Sequence, residues 1–291
     1  MEKKYVVQAF AGTALGTAAG FMASHLFNTR KKKHALCHPS KVDLTSPSEN
    51  EAPDTCSESM GIICAMDSEA AHVLSLMTIE KEEKISGMLF RKGTLYGKHI
   101  VLVRCGIGKV NAAACAQTLC TIFKINQLIN IGVAGTVRRG IKQGDIVIST
   151  DAIQHDYDIT PLGLKPGEIG NMHIAAFKAS KDLIALAKKA ASAAHLNDIA
   201  ICEGRIASGD QFIAGGPRME AIKETFDPYA VEMEGAAIAH IAYLNTVPFV
   251  IIRSISDKAD GEASLSYEEF LPLAAKNAGL LMENMIKLWK V

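Results

Sequence analysis

The sequence predicts an α/β domain between Met60 and Val291: a mostly parallel β-sheet with helices on both faces. Three observations carry this expectation. Short apolar runs alternate with stretches of helical periodicity. The runs are short enough to be buried strands. Acidic and glycine-containing clusters stand just after several of them, where ligands bind in sheets of this kind.

Taken in order, Gly61-Ile62-Ile63-Cys64-Ala65-Met66 reads as a buried strand, after which Asp67 or Ser68 can cap a helix. His99 to Cys105 is a second strand, and the Ala-rich stretch Lys109 to Phe123 a helix. Leu128 to Val133 and Asp145 to Ser149 are strands, and Ser180 to Ala194 a helix. Ile199 to Ala207 is strand-like, Glu232 to Leu244 helical, Pro248 to Ser254 a strand, and Ser266 to Lys290 a long final helix.

Residues 1–59 differ in kind. Tyr5 to Phe27 lacks any charged side chain and is long enough to cross a bilayer as a helix. Gly12, Gly16 and Gly20 repeat at spacing four, which permits close helix contact in lipid, although Gly and Ala at this density also match by chance. The basic run Arg30 to His34 follows, so the positive-inside rule places the downstream side in the cytoplasm. Residues 1–36 are therefore expected to be an uncleaved anchor with its basic flank, and the folded domain cytoplasmic. A cleaved export signal is the alternative, disfavoured because the apolar run is long and the best small-residue cleavage site, Ala18-Ala19-Gly20, lies inside it. Residues 37–59 are rich in Ser, Pro, Glu and Asp and read as a disordered tether. The folded domain is 60–291.

Lys+Arg and Asp+Glu are equal at 31 each, which argues against a bulk polyanion such as nucleic acid as partner. The seven cysteines form no Cys-x-x-Cys pair. Cys64, Cys105, Cys115, Cys120 and Cys202 sit in or beside apolar runs and read as reduced core thiols. No Cys/His cluster suggests a metal site.

Several carboxylates follow strands: Glu69, Asp210, Glu232 and Glu234, and Asp257. Taken singly, each is more often a helix cap than a functional group. Together they point to one sheet edge. The segments Gly61 to Glu69, Gly106-Ile107-Gly108-Lys109-Val110-Asn111-Ala112-Ala113, Ser208-Gly209-Asp210-Gln211-Phe212, Val231-Glu232-Met233-Glu234 and Ser254-Ile255-Ser256-Asp257 carry a resemblance. Over Met60 to Val291 the chain resembles the 5′-methylthioadenosine/S-adenosylhomocysteine nucleosidases of the nucleoside phosphorylase superfamily. That resemblance implies a three-layer α/β/α sandwich with a central mixed, mostly parallel sheet, a homodimer, and hydrolysis of the N-glycosidic bond without metal or cofactor.

The chemistry needs an acid to protonate the leaving purine at N7 and a base to activate water on the other face of the sugar. By the resemblance, Asp257 is the acid, placed by Ser256, and Glu69 the base, with Arg253 near Glu69 and the water. Glu234 accepts hydrogen bonds from the ribose hydroxyls, with Glu232 and Met233 in the same wall. Phe212 stacks on adenine and the Ile213 backbone reads its edge. Met66, Ile107, Met233 and Tyr267 line the ribose and 5′-alkylthio region, Val133 is a further substrate-binding position, and Ile159 and Leu162 are offered by the neighbouring subunit. Without the resemblance, Met66, Ile107 and Ile159 would read as core packing. Two positions depart from the common pattern: Val133 replaces a water-holding Ser, and Tyr267 stands where Phe is frequent. A phosphorylase is disfavoured because the loop Met66-Asp67-Ser68-Glu69 is anionic where phosphate would need cations. A futalosine-type nucleoside remains an alternative substrate. A non-catalytic descendant of the fold is disfavoured because Glu69, Glu234 and Asp257 are all present.

Overall fold

The computed structural model describes residues 58–170, 172–194, 196, 198–257 and 263–290, with 263–266 as backbone only. The expected anchor and most of the expected tether lie outside the described residues. The strands are β1 (Ser59–Cys64), β2 (Thr78–Ile85), β3 (Met88–Leu95), β4 (Lys98–Arg104), β5 (Gln127–Gly135), β6 (Ile146–Gln154), β7 (Ala176–Lys178), β8 (Ile201–Ser208), β9 (Ala230–Glu232) and β10 (Phe249–Asp257). The helices are α1 (Asp67–Leu76), α2 (Lys109–Thr121), α3 (Lys181–Ala193), α4 (Gly216–Phe226), α5 (Gly235–Leu244) and α6 (Ala263–Leu288). A 3-10 turn spans Thr160–Leu162.

Strand alternation explains the layers. Ile62 and Cys64 of β1, Ile100 and Leu102 of β4, Ile129 and Ile131 of β5, and Val250 and Ile252 of β10 face one side. There they meet α1, α3 and α6 through residues such as Val73, Ala187 and Leu281. Ile63, Val101, Val103, Leu128 and Ile251 face the other side, against α2 and α5. Strands apolar on both faces must be covered on both, and the α/β/α sandwich follows.

The sheet is less parallel than expected. β1–β4, β1–β5, β5–β10, β6–β8 and β8–β9 pair in parallel. β2–β3, β3–β4, β5–β9, β6–β7 and β6–β10 pair antiparallel. The sequence reading missed the β2–β3 hairpin because β2 is charged and largely exposed and so shows no apolar alternation. The turns on either side of β3 were marked all the same. Ser86-Gly87 and Tyr96-Gly97 both take positive φ at two successive residues, the conformation of a tight hairpin turn.

Because β10 pairs with both β5 and β6, the strands β5, β10, β6, β8 and β9 form a closed circuit. Closure brings the ends of β8 and β9, which run opposite to β5, to the edge where β1, β5 and β10 end. The helix expected from Glu232 starts only at Gly235. Residues 230–232 form β9, because the Glu232 carboxylate accepts hydrogen bonds from the Glu234 and Gly235 N–H groups and must stand outside the helix to do so.

Among the described residues no helix is long and apolar enough to cross a membrane. Leu281 of α6 is fully buried against the sheet. Leu281→Ala should destabilise the domain by about 2–5 kcal/mol, read as a lower urea midpoint with an unchanged slope.

Candidate active site

A cavity of about 240 Å³ opens at the carboxyl ends of β1, β5 and β10. Glu69 is the third residue of α1, and its side chain folds back over the helix start. Oε2 accepts from the Ala65 and Met66 N–H groups at 2.8 and 2.9 Å, and Oε1 from Val133 N–H at 2.9 Å. This is the glutamate half of a capping box, here joined to β5. Gly132 makes the approach possible, since a Cβ there would stand 2.5 Å from Glu69 Oε1.

Asp257 ends β10, where the register with β5 slips between Ile255 and Asp257. The irregularity turns the carboxylate toward the cavity. Ser256 Oγ donates to Asp257 Oδ2 at 3.0 Å, with the Ala134 carbonyl a second acceptor at 3.3 Å. A Cβ at Gly135 would be 2.7 Å from Asp257 Oδ1, so glycine is needed here for the same reason as at Gly132.

Glu234 precedes α5 and accepts the Gly108 N–H at 2.8 Å. Gly108 (φ 99°) starts α2 with no cap of its own. Glu234 therefore sits at the positive end of a helix dipole. Met233 and Val133 line the same cavity. Phe212, Ile213 and Ile107 form the open apolar side, with Phe212 half exposed. Tyr267 meets Phe212 edge-on at 5.8 Å between ring centres. Its hydroxyl donates to Met66 Sδ at 3.2 Å.

Four of the expected residues present no free group to this cavity. Arg253 does not line the cavity. It is buried beneath it, with Nη2 2.5 Å from both Glu232 Oε2 and Asn130 Oδ1. Its direct partner is Glu232, not Glu69. Glu232 lines the cavity, but its oxygens are taken by Arg253, Ser208 Oγ and the start of α5. That leaves it a supporting position, not a free acceptor for substrate. Ile159 and Leu162 stand away from this cavity, and Leu162 is 78% exposed. Sequence reasoning missed Asn130 and the role of Ser208, which also accepts the Ala236 N–H at 2.7 Å. Both are buried polar residues at strand positions, a signal that was there to read. Among the described residues no cluster of metal-binding side chains is present. Cys64, Cys105, Cys115, Cys120 and Cys202 are free thiols.

Residues 59–287 match the model of the phosphorylase superfamily. A 5′-methylthioadenosine/S-adenosylhomocysteine nucleosidase of Actinobacillus succinogenes is 45% identical over 228 residues, 78% of this chain and 97% of its own. The chain belongs to this family. The nucleosidase of that name from Colwellia psychrerythraea, solved in complex with adenine, is 38% identical with a TM-score of 0.76, covering 79% of this chain and 95% of that one. A futalosine hydrolase of Helicobacter pylori is 32% identical with a TM-score of 0.76, covering 80% and 99%.

In this nucleosidase fold two carboxylates, Glu69 and Glu234, are tuned by burial. Desolvation raises the Glu69 pKa, and Arg253 and the three N–H donors only partly offset it. Glu234 is pushed up to about 7, first by desolvation and then by Glu232. Burial works against the Arg253 charge, but Glu232, Glu234 and Glu69 together raise its pKa.

The Glu234 shift carries a sign. The folded carboxyl holds its proton more tightly than the unfolded one, so its charge costs stability as pH rises through the ordinary glutamate range to about 7. Glu234→Gln should therefore gain thermal stability over the parent at pH 8 and little at pH 5, by roughly 2–4 °C per kcal/mol released. A gain that does not grow between pH 5 and pH 8 would contradict the buried-charge account.

Proposed function

We propose that the chain hydrolyses the N-glycosidic bond of 5′-methylthioadenosine and S-adenosylhomocysteine, releasing adenine and 5-methylthioribose or S-ribosylhomocysteine. The observation that carries this is the convergence of Glu69, Glu234 and Asp257 on one apolar cavity, with Phe212 at its open side. Cleavage leaves positive charge on the sugar and negative charge on the base. Asp257, held by Ser256, donates a proton to N7 of the leaving purine. Glu69, fixed by three N–H groups and raised in pKa, takes a proton from water on the opposite face. Glu234 accepts from the ribose hydroxyls. Arg253 acts from below, through Glu232. Met66, Ile107, Val133 and Tyr267 give the 5′ tail a mainly apolar bed.

Water rather than phosphate is the nucleophile. Phosphate would need available cations, and Arg253 is already engaged with Glu232 and Asn130. Arg104, beside the anionic loop, is paired with Asp67 at 3.0 Å. The likeness to a futalosine hydrolase keeps one second reading open, a nucleoside with a larger polar 5′ group.

The exposed Leu162, with the exposed Ile107 and Phe212 at the cavity, supports a homodimer in which Ile159 and Leu162 complete the neighbour's site. The uncharged stretch Tyr5 to Phe27 and the basic run after it support membrane attachment with a cytoplasmic domain.

Purified protein given 5′-methylthioadenosine without phosphate should release free 5-methylthioribose at the rate seen with phosphate. Asp257→Asn should lower kcat by roughly 10²–10⁴ with the fold intact. 5-Methylthioribose 1-phosphate as main product would transfer the case to a phosphorylase.

For the anchor, full-length protein should pellet with membranes, and protease added outside intact cells should leave the domain uncut. A shortened, soluble, exported form would support a cleaved signal.

A further inference from the structure

Beside the cavity, three segments far apart in sequence meet in a ring of charged groups. Asp210 Oδ1 accepts the Lys109 N–H at 2.7 Å, so it caps α2 from a remote loop. The Asp210 N–H in turn donates to Asp156 Oδ2 at 2.9 Å. Lys109 Nζ closes the ring on Asp156 Oδ1 at 2.5 Å and reaches Gln154 Oε1 at 3.0 Å. The Lys109 and Asp156 side chains are only 17% and 16% exposed. The loop is clamped from a second side. A Cβ on Gly209 would stand 2.4 Å from His155 Cε1, so the His155 ring lies directly on the Gly209 backbone. Burial lowers the His155 pKa and favours its neutral form, which adds no charge to the ring.

This ring has consequences for the cavity. Phe212 and Ile213 follow Asp210 by two and three residues and form one wall. Gly108, whose N–H binds Glu234, precedes Lys109. The ring therefore joins the wall offered to the base to the backbone that holds the ribose carboxylate. None of Lys109, Asp156 and Asp210 lines the cavity itself.

We propose that Asp156, with Lys109, is a positioning residue for nucleoside binding: it anchors the Asp210–Ile213 loop to the start of α2 and so sets the distance between the Phe212 wall and Glu234. This rests on the reading of the cavity as a nucleoside site. A positioning residue of this kind governs how well substrate is held more than how fast the bond breaks, because Glu69 and Asp257 hang from β1, β5 and β10 instead.

The test uses Asp156→Ala, Asp156→Asn and Lys109→Met in the full chain. Asp156→Ala should raise KM for 5′-methylthioadenosine about 10-fold or more while kcat changes less than about 3-fold. Asp156→Asn keeps an acceptor for the Asp210 N–H and should fall between Asp156→Ala and the parent. Amide hydrogen exchange supplies a readout independent of turnover. Exchange at Asp210 to Ile213 should speed up in Asp156→Ala and Lys109→Met, with the strands β1, β5 and β10 unchanged. Unchanged exchange in that loop, or a loss in kcat with KM preserved, overturns the proposal. If the parent fails to cleave 5′-methylthioadenosine, the functional reading fails, and the exchange experiment still decides whether Asp156 holds the loop.

Discussion

Arg253 stands in β10 with its guanidinium buried under the cavity, and the carboxylates above depend on it. Glu69, Glu232, Glu234 and Asp257 are all buried within one small region. Stripping water from that many anions is costly, and without a counter-charge they would neutralise by taking up protons. Arg253 meets Glu232 directly, lies 3.9 Å from Glu234, and lowers the Glu69 pKa through space. Among the described residues, one cation among several acids leaves them only partly compensated. The Glu69 and Glu234 pKa values accordingly remain raised, which suits groups that must exchange protons or accept hydrogen bonds during a reaction.

The backbone makes room for this arrangement. At Gly132 and Gly135 the absent Cβ is replaced by a carboxylate oxygen, of Glu69 and of Asp257. β5 is thus the spacer between the two groups proposed as base and acid, and it touches both. Its Val133 N–H, rather than a side-chain hydroxyl, tethers Glu69. A valine side chain at this position therefore leaves the tether intact, because the tether is made by the main chain.

The central strands and the helices covering them were legible because their apolar residues are doubled: β1, β4, β5 and β10 face a helical layer on each side, so they read as unbroken apolar runs. β2 escaped because an exposed edge strand has no buried face to mark it. β9 escaped because three residues are too few for any periodicity. In the site, residues lining the cavity were readable from the motifs that carry them. The Ser256–Asp257 pair was readable in the same way, but the other partnerships were not. That Arg253 would choose Glu232 over Glu69 depends on the closure of β5, β10, β6, β8 and β9, which brings the end of β9 over β10. The same closure explains why the meeting of Asp156, Lys109 and Asp210 gave no signal. They lie in two loops and at the start of α2, and local sequence does not report which of these meet.

The carboxylates that follow strands divide by what their oxygens meet. Asp210 and Glu232 behave as the ordinary expectation for such residues holds, since each accepts N–H groups at the start of a helix, α2 and α5. Glu234 shares the α2 terminus with Asp210 but keeps one oxygen toward Arg253 and the cavity. Capping and catalysis are therefore not competing uses of an acidic residue in this fold. The caps draw the helix starts together, and the helix starts set the width of the cavity. Among the described residues, the cation that offsets the charge lies below the floor and not in the cavity itself. A site built this way holds a neutral nucleophile beside a raised carboxylate more readily than it admits an anion such as phosphate.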